Sequence, residues 1–330
     1  MSSSQRRIVI VVVGIAVVAA LLLLSTRRQG PTTDPSGSPT ASTGASASTE
    51  SSPDASGEAS PDASDEPSQE PVALSVGLGF IPSVQFAPFY LADQAGYYRE
   101  AGLDVTFRHG TDYDVVALVA QGELDVGLAD GTSVIPAVSN GIPIKYVATI
   151  YGKFPSVVFA KASTGIRTAA DLAEKKVGIP GRFGSSWIML QALLADADLT
   201  PEDVEIVEYP DFGQGAAVAQ GAVDAATGFT NNEPVQLELT GEEVTILRVD
   251  DIVPLPGNGL IVGTSTLEAK SDAISGFIAA TLRAMEAIAA DPDVGLDAAI
   301  TAVPELASAR DVQAAILDAT IEVWTGPAQD

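Results

Sequence analysis

The sequence predicts a two-lobed α/β protein, because one supersecondary plan occurs twice along the chain. The copies span residues 76–134 and 177–234, and each follows the order strand, helix, strand, helix, strand. Both copies end on a related signature, VAQGELDVGLAD at Val119–Asp130 and VAQGAVDAATGF at Val218–Phe229. Two such units predict two lobes, each with a mixed, mostly parallel sheet flanked by helices.

The repeat also predicts where a ligand would bind. Loops that leave the carboxyl ends of parallel strands gather at one edge of a sheet, and open α/β sheets bind ligands at that edge. We therefore expect a cleft between the lobes, lined by loops of both units. These loops are Phe80–Phe86, Arg108–Asp114, Ala129–Ser133, Pro180–Ser186, Tyr209–Gln214 and Phe229–Glu233.

The N-terminal residues predict attachment to a membrane. Ile8–Leu24 is an unbroken apolar run with arginine pairs on both sides. It exceeds the ~7–15 apolar residues of a cleaved signal and reaches the ~17–25 of a spanning helix. Residues 1–28 are therefore predicted to be a membrane anchor; the alternative is a cleaved signal and a secreted or periplasmic protein. Residues 29–71, rich in Ser, Thr, Pro and Asp, are predicted to be a disordered tether.

Charge and rare residues exclude several functions. The formal net charge is −26, from 43 acidic and 17 basic residues, and this disfavours nucleic acid as a partner. The chain has no cysteine, which excludes disulfides, thiolate metal sites and cysteine nucleophiles. His109 is the only histidine and lies in no catalytic or metal-binding motif. We expect neither a cofactor nor a metal site, and not an enzyme.

Four segments resemble a known family, the two-lobed solute-binding proteins of ABC importers. The matching branch includes binders of thiamine pyrimidine precursors, riboflavin and alkanesulfonates. The segments are FIPSVQFAPFYLADQAGYYREAGLDV at Phe80–Val105, QGELDVGLAD at Gln121–Asp130, GIPGRFGSSWIMLQALL at Gly178–Leu194 and NNEPVQLE at Asn231–Glu238. The resemblance implies a type 2 periplasmic-binding-protein fold, a small-molecule ligand and a membrane permease as partner. The first and last segments are most similar to riboflavin-binding members.

The resemblance also suggests how the chain divides. Ser156–Lys161 is expected to cross into the second lobe, and the helices Ser271–Ala290 and Leu296–Ile316 are expected to return to the first. Residues 72–160 and 254–330 would then form lobe 1, and residues 161–253 lobe 2. Within lobe 1, Phe89–Tyr98 is predicted to be helical and Gly102 to close that helix in the left-handed conformation.

Aromatic side chains cluster in the predicted cleft loops and favour a planar ring as ligand. The candidates are Phe80, Phe86, Tyr151, Phe183 and Trp187. Packing in the core is the competing interpretation for each of them.

The glycine-rich turn between Gly178 and Ser186 offers a second kind of contact. The backbone N–H groups of Gly184, Ser185 and Ser186 could hold a polar ligand edge at a helix start. The alternative is a tight turn from strand to helix.

Polar residues of the same loops complete the predicted site. Asp130 and Glu233 occupy equivalent loops and could accept hydrogen bonds from ligand N–H or O–H groups; helix capping and pairing with the helix dipole are the alternatives. The other polar candidates are Ser83, Gln85, Asn231 and Asn232. Asp125 and Asp224, which follow the Gln-Gly pair in each unit, are instead expected to fix a turn.

Together with these residues, the resemblance implies a binding protein on the extracytoplasmic face that delivers a planar heterocycle, with riboflavin as the expected ligand, to an ABC permease. One alternative keeps the fold and changes the ligand to a formylaminopyrimidine-type thiamine precursor or an aliphatic sulfonate. A second alternative is a membrane-tethered sensory module.

Overall fold

The computed structural model describes residues 70–324, so the predicted anchor and most of the predicted tether lie outside the described residues. The described chain forms ten strands. They are β1 (Val72–Leu78), β2 (Leu103–His109), β3 (Val126–Asp130), β4 (Ile144–Thr149), β5 (Ser156–Lys161), β6 (Lys176–Ile179), β7 (Glu205–Glu208), β8 (Ala225–Phe229), β9 (Val244–Arg248) and β10 (Asn258–Gly263).

Eleven α-helices connect and flank these strands in the described residues. They are α1 (Ala87–Gln94), α2 (Tyr97–Glu100), α3 (Asp112–Gln121), α4 (Gly131–Ser139), α5 (Gly184–Asp196), α6 (Gln214–Gln220), α7 (Glu233–Glu238), α8 (Thr264–Ala269), α9 (Ser271–Ala290), α10 (Pro292–Ala302) and α11 (Arg310–Trp324). Short 3₁₀ turns, such as Val84–Phe86 and Pro304–Ala309, lie between some of them.

The strands form two five-stranded sheets with the same topology, which confirms the predicted α/β fold with mixed sheets. The first sheet has the order β2-β1-β3-β10-β4 and the second β7-β6-β8-β5-β9. In each sheet, one strand pairs in parallel with two neighbours, β1 in the first and β6 in the second. In each, the strand that arrives from the other half, β10 or β5, runs antiparallel to both of its neighbours.

The exchange of these two strands defines the boundary between the lobes. Sequence analysis drew the first boundary at residue 160, inside β5. However, β5 pairs with β8 and β9 of the second sheet from Ser156 to Lys161. We therefore propose that the chain crosses between Thr149 and Ser156, and that it returns between Arg248 and Asn258.

Each sheet is covered by apolar side chains on both faces. In the second sheet, Val158 and Phe159 point into different clusters, as the two-residue period of a strand requires. On the first sheet, α9 contributes Phe277 and Ile288 to the larger cluster. By length and composition α9 could also cross a membrane, but this buried face identifies it as a core helix of the first lobe.

Two predicted helices are interrupted, which corrects the sequence analysis. The expected helix over Phe89–Tyr98 is divided between α1 and α2 because Gly96 adopts a φ of 79°. The expected helix over Leu296–Ile316 is divided between α10 and α11, with a 3₁₀ turn that begins at Pro304. Proline has no N–H to continue a helix, and it disfavours the helical conformation in the residue before it. Gly102 has the expected left-handed φ, 73°.

An aspartate fixes the same turn in both units. The Asp125 N–H donates to the carbonyl of Ser75 at 2.9 Å, and the Asp224 N–H donates to that of Lys176 at 2.9 Å. Each aspartate Oδ2 accepts the backbone N–H of the same partner, at 2.9 Å in the first unit and 2.8 Å in the second. Both residues therefore have the structural role that the repeat predicted.

The two aspartates differ in the number of further hydrogen bonds that their side chains accept. Asp125 also accepts from the Ser75 hydroxyl at 3.0 Å and from Lys270 Nζ at 2.8 Å, which ties α9 to the first sheet edge. Burial raises the pKa of Asp125, but the hydrogen bonds from Lys270 and Ser75 outweigh it and leave the pKa below its usual value. The single side-chain bond of Asp224 leaves the second turn more weakly fixed.

We predict that Asp125→Ala lowers the free energy of unfolding by about 2–3 kcal/mol, because it leaves several donors without an acceptor. The matched variant Asp224→Ala should cost about 1 kcal/mol. Urea denaturation at neutral pH measures both. The difference should shrink below about pH 4, where the unfolded aspartate becomes protonated while Asp125 in the folded protein is still being titrated. Equal losses at neutral pH would contradict the unequal roles.

Candidate ligand-binding site between the two sheets

A cavity lies where the carboxyl ends of the parallel strands of the two sheets face each other. All six predicted loops contribute to its lining. The cavity volume is ≈ 100 Å³, below the ~300–1,000 Å³ of common small-molecule sites, and the wider space between the lining atoms, part of it open to solvent, is ≈ 860 Å³. The residues of the prediction that line it are Phe80, Gln85, Phe86, Asp130, Tyr151, Phe183, Gly184, Ser185, Ser186, Asn232 and Glu233.

Aromatic rings enter this cavity from both lobes. Phe80 and Phe86 come from the loop after β1, and Phe183 and Phe229 follow β6 and end β8. Phe212, which sequence analysis did not single out, meets Phe80 edge to face with the ring centroids 4.8 Å apart. The lobes therefore contact each other across the cavity in this structure, and the rings offer flat apolar surfaces to a ligand.

Phe183 stands at the mouth of the cavity. It is 45% exposed, and it precedes Gly184, whose φ is 65°. Glycine adopts this conformation without strain, so the chain can turn sharply from β6 into α5. The turn places Ser185 and Ser186, in the first helical turn, along the cavity.

Trp187 does not line the cavity. Its ring is partly buried against the core of the second lobe. The Arg182 guanidinium lies 5.1 Å from the centre of this ring, and its Nε donates to Glu208 at 3.2 Å. Phe183 is the extended N-cap residue of α5 and not part of the helix, so the helical spacing of four residues does not place it on the same face as Trp187.

Ser83 and Asn231 also lie outside the lining and instead hold Gln85 in place. Ser83 Oγ accepts hydrogen bonds from the Gln85 N–H at 3.3 Å and from Gln85 Nε2 at 3.2 Å. Asn231 Nδ2 donates to Gln85 Oε1 at 2.9 Å and to Thr320 Oγ1 at 2.9 Å. Asn231 belongs to the second lobe and both acceptors belong to the first, so this buried side chain connects the lobes beside the cavity.

Three carboxyl groups face the cavity: Asp112 and Asp130 from the first lobe and Glu233 from the second. Asp130 is 5% exposed, and no side chain caps α4 through it, contrary to the capping alternative. Its N–H donates to Asp112 Oδ1 at 2.7 Å. Glu233 accepts from the Phe229 N–H at 3.0 Å and from Gln214 Nε2 at 3.3 Å.

Burial determines the protonation of these groups. Burial and the neighbouring carboxyl of Asp130 raise the pKa of Asp112 to about 8. Burial raises the pKa of Asp130 to about 6, although the Ser185 and Asn258 side chains lower it in part. Burial likewise raises the pKa of Glu233, against the hydrogen bond from Phe229. The described residues that line the cavity include no lysine, arginine or histidine that could neutralise these acids.

Several buried polar atoms at the cavity have no hydrogen-bond partner among the described residues. They are Asp112 Oδ2, Gln214 Oε1 and Asn258 Oδ1. Sequence analysis missed all three residues. Asp112 follows the N-cap Thr111 and reads as an ordinary acidic residue of a first helical turn. Gln214 ends the predicted cleft loop Tyr209–Gln214 but was not among the candidate side chains. Asn258 begins β10, which reaches the cavity only in the assembled sheets.

His109 has a structural position. One ring nitrogen lies 3.0 Å from the Tyr90 hydroxyl and the other 3.1 Å from the Phe80 carbonyl oxygen. Burial lowers its pKa, against the hydrogen bond to Phe80. Within residues 70–324 no group of three or more histidine and acidic side chains is placed to hold a metal ion.

Fold and cavity together define a two-lobed α/β protein of the periplasmic-binding-protein type. Residues 83–294 match the NMT1/THI5-like family, and the chain belongs to this family. The riboflavin-binding protein RibY of Chloroflexus aurantiacus is 34% identical over 256 residues, which cover 76% of this chain and 72% of that protein. A 4-amino-5-hydroxymethyl-2-methylpyrimidine phosphate synthase of Legionella pneumophila is 28% identical over 225 residues, covering 66% of this chain and 70% of that enzyme.

Solved structures share the fold. The periplasmic aliphatic sulphonate-binding protein SsuA of Escherichia coli matches with a TM-score of 0.61 and 20% identity, over 76% of this chain and 84% of that chain. SsuA of Xanthomonas axonopodis pv. citri, bound to MOPS, matches with a TM-score of 0.60 and 18% identity, over 76% and 85% of the two chains. At this identity the similarity establishes the fold and not the ligand.

Proposed function

We propose that this protein is the solute-binding component of an ABC import system and that its ligand is riboflavin. The observation that carries the proposal is the cavity itself, which has aromatic rings from both lobes and buried acceptor oxygens but no basic lining side chain among the described residues. Riboflavin has a flat ring for the aromatic surfaces, and its ring N–H and ribityl hydroxyls are donors for the unpartnered oxygens. The similarity to RibY supports the same ligand.

The charge of the cavity disfavours an aliphatic sulfonate. A sulfonate is a permanent anion that calls for arginine, lysine or converging backbone donors. Arg182, the one arginine of the second unit's cleft loops, pairs with Glu208 and does not line the cavity. A sulfonate in this cavity would instead meet Asp112, Asp130 and Glu233.

A thiamine pyrimidine precursor is the second candidate, because carboxyl groups line the cavity. An aminopyrimidine is also planar, and its amino group and protonated ring nitrogen could donate to buried carboxyls. We regard transport as a better match than pyrimidine synthesis, because the described residues that line the cavity offer no histidine or cysteine for a reaction. Here the single histidine is held by Tyr90 and Phe80, and the sequence has no cysteine.

We further propose that residues 1–28 hold the protein at the extracytoplasmic face, so that the lobes can present the ligand to a membrane permease. The apolar run Ile8–Leu24 and its flanking arginines support this arrangement. Closure of the lobes on the ligand would create the surface that a permease distinguishes from the empty state.

We predict that the purified full-length chain quenches riboflavin fluorescence on titration at micromolar protein, because stacking on the cavity phenylalanines changes the environment of the ring. Ethanesulfonate at a hundredfold excess should not displace the vitamin. Formylaminopyrimidine serves as the second competitor and distinguishes the two planar candidates. If riboflavin fluorescence is not quenched while formylaminopyrimidine or the sulfonate binds saturably, riboflavin is not the ligand.

Two aromatic residues four positions apart provide a matched pair of variants. Phe183→Ala should weaken riboflavin binding by about tenfold, the equivalent of ~1.4 kcal/mol, and change stability little, because Phe183 is exposed at the cavity mouth. Trp187→Ala should lower the free energy of unfolding by about 2 kcal/mol, because its ring packs on the second core. Its effect on affinity should be smaller than that of Phe183→Ala. The reverse pattern, measured by titration and urea denaturation, would place the ligand over Trp187.

A further inference from the structure

Asp112 and Asp130 are neighbours at the edge of the first sheet. Asp130 ends β3, and Asp112 begins α3 directly after its N-cap Thr111. The 2.7 Å hydrogen bond from the Asp130 N–H to Asp112 Oδ1 holds the two residues together. Both side chains line the cavity, so whatever charge the pair carries acts directly on a bound ligand.

Nothing positively charged compensates this pair from the cavity side. The other titratable groups that face it are Tyr146 and Tyr151, from β4 and the segment after it, and Glu233, which lines the cavity from the second lobe. None of these groups carries a positive charge at neutral pH. Two neighbouring acids in such surroundings cannot both ionise without a large cost, so one of them stays protonated at neutral pH.

Gln214 is an independent indication that a donor group belongs in this cavity. It is only 1% exposed, and its Oε1 has no hydrogen-bond partner among the described residues, although its Nε2 is engaged by Thr227 and Glu233. Asp112 Oδ2 is equally shielded and equally without a partner. Buried acceptors are normally satisfied, so a ligand that supplies N–H or O–H groups is expected to occupy this space.

We propose that the carboxyl groups of Asp112 and Asp130 are the specificity element of the site, which accepts an uncharged, hydrogen-bonding ligand and rejects its anionic derivatives. This inference rests on the proposed function. A protonated carboxyl of this pair can donate to a ring carbonyl, and the other oxygens can accept from a ring N–H or a hydroxyl. A phosphate ester of the same vitamin would bring two negative charges into a cavity that already holds a buried anion.

The selectivity test compares riboflavin with its 5′-phosphate on the full-length chain, by flavin fluorescence and calorimetry. The wild type should bind riboflavin at least ~50-fold more tightly than the phosphate, the ratio expected for like charges about 7 Å apart at an effective dielectric constant near 20. In the double variant Asp112→Asn/Asp130→Asn, riboflavin should bind more weakly and the phosphate more tightly, so that the ratio falls by at least tenfold. Asp114→Asn is the matched control, because Asp114 is on the same helix but exposed and bonded to Thr111. It should leave the ratio unchanged.

A second arm needs no ligand. A carboxyl whose pKa is higher in the folded than in the unfolded protein makes stability fall as pH rises between those two values. Asp112→Asn removes one such carboxyl and keeps an Oδ1 acceptor for the Asp130 N–H. The variant should therefore gain melting temperature relative to the wild type, and the gain should be larger at pH 8 than at pH 5. Asp114→Asn should show no such trend.

The two arms separate failure of the inference from failure of the proposed function. If the wild type binds neither flavin but the pH-dependent gain appears, riboflavin is the wrong ligand and the protonated carboxyl of Asp112 stands. If the wild type binds riboflavin and its phosphate equally, or if Asp112→Asn gives the same shift at both pH values, the pair is not the specificity element. A double variant that does not fold would leave the single variants and the wild-type flavin ratio to decide.

Discussion

The structure depends on one constraint, namely that parallel strands deliver their following loops to the same edge of a sheet. The constraint acts twice, because β1 with β2 and β3, and β6 with β7 and β8, form equivalent parallel sets. Each half thus gathers its loops at one edge. The exchanged antiparallel strands β5 and β10 then join the halves, since each completes the sheet of the lobe it enters. The chain passes between the lobes twice, which is the connection needed for lobes that move relative to each other around a cavity.

Within this framework the buried acids determine what the cavity can hold. A buried carboxyl without a counter-ion keeps its proton or requires a donor from a ligand. Asp130, Asp112 and Glu233 lie among phenylalanine rings, and this combination of flat apolar surface and buried acceptors favours a neutral or cationic heterocycle. Two solved structures with the same fold are sulphonate-binding proteins, and a shared fold does not by itself specify the ligand.

The internal repeat made most of the fold predictable from sequence. The Gln-Gly signature indicated equivalent units, and the position of Asp125 and Asp224 in it identified turns that the structure confirms. Helix interruptions were less visible, because Gly96 and Pro304 each sit inside a pattern whose apolar spacing continues past them. The cleft loops were also identified as a set. The direction of individual side chains was harder to predict. The direction of Trp187 depends on the extended backbone of Phe183, and the apolar periodicity does not reveal that backbone conformation.

Sequence predicted the loop that holds Phe212 and Gln214 but not the role of these side chains, and it did not predict Asn258 at all. Phe212 reaches the cavity from a backbone with a φ of 59°, an uncommon conformation for phenylalanine. Asn258 arrives on the strand that returns from the second lobe, and Gln214 begins a helix whose start has no side-chain cap. These side chains line a site only when both lobes enclose them, and no local sequence pattern indicates that.

The central claim is that one ligand is held by both lobes at once, and the distance between the lobes tests it most directly. The chain contains no cysteine, so Tyr113→Cys and Asp211→Cys place single spin labels on exposed positions of the two cavity rims. Pulsed electron resonance should then show a broad distance distribution that narrows and shortens when riboflavin is added. Identical distributions with and without a ligand that demonstrably binds would contradict a site shared between the lobes.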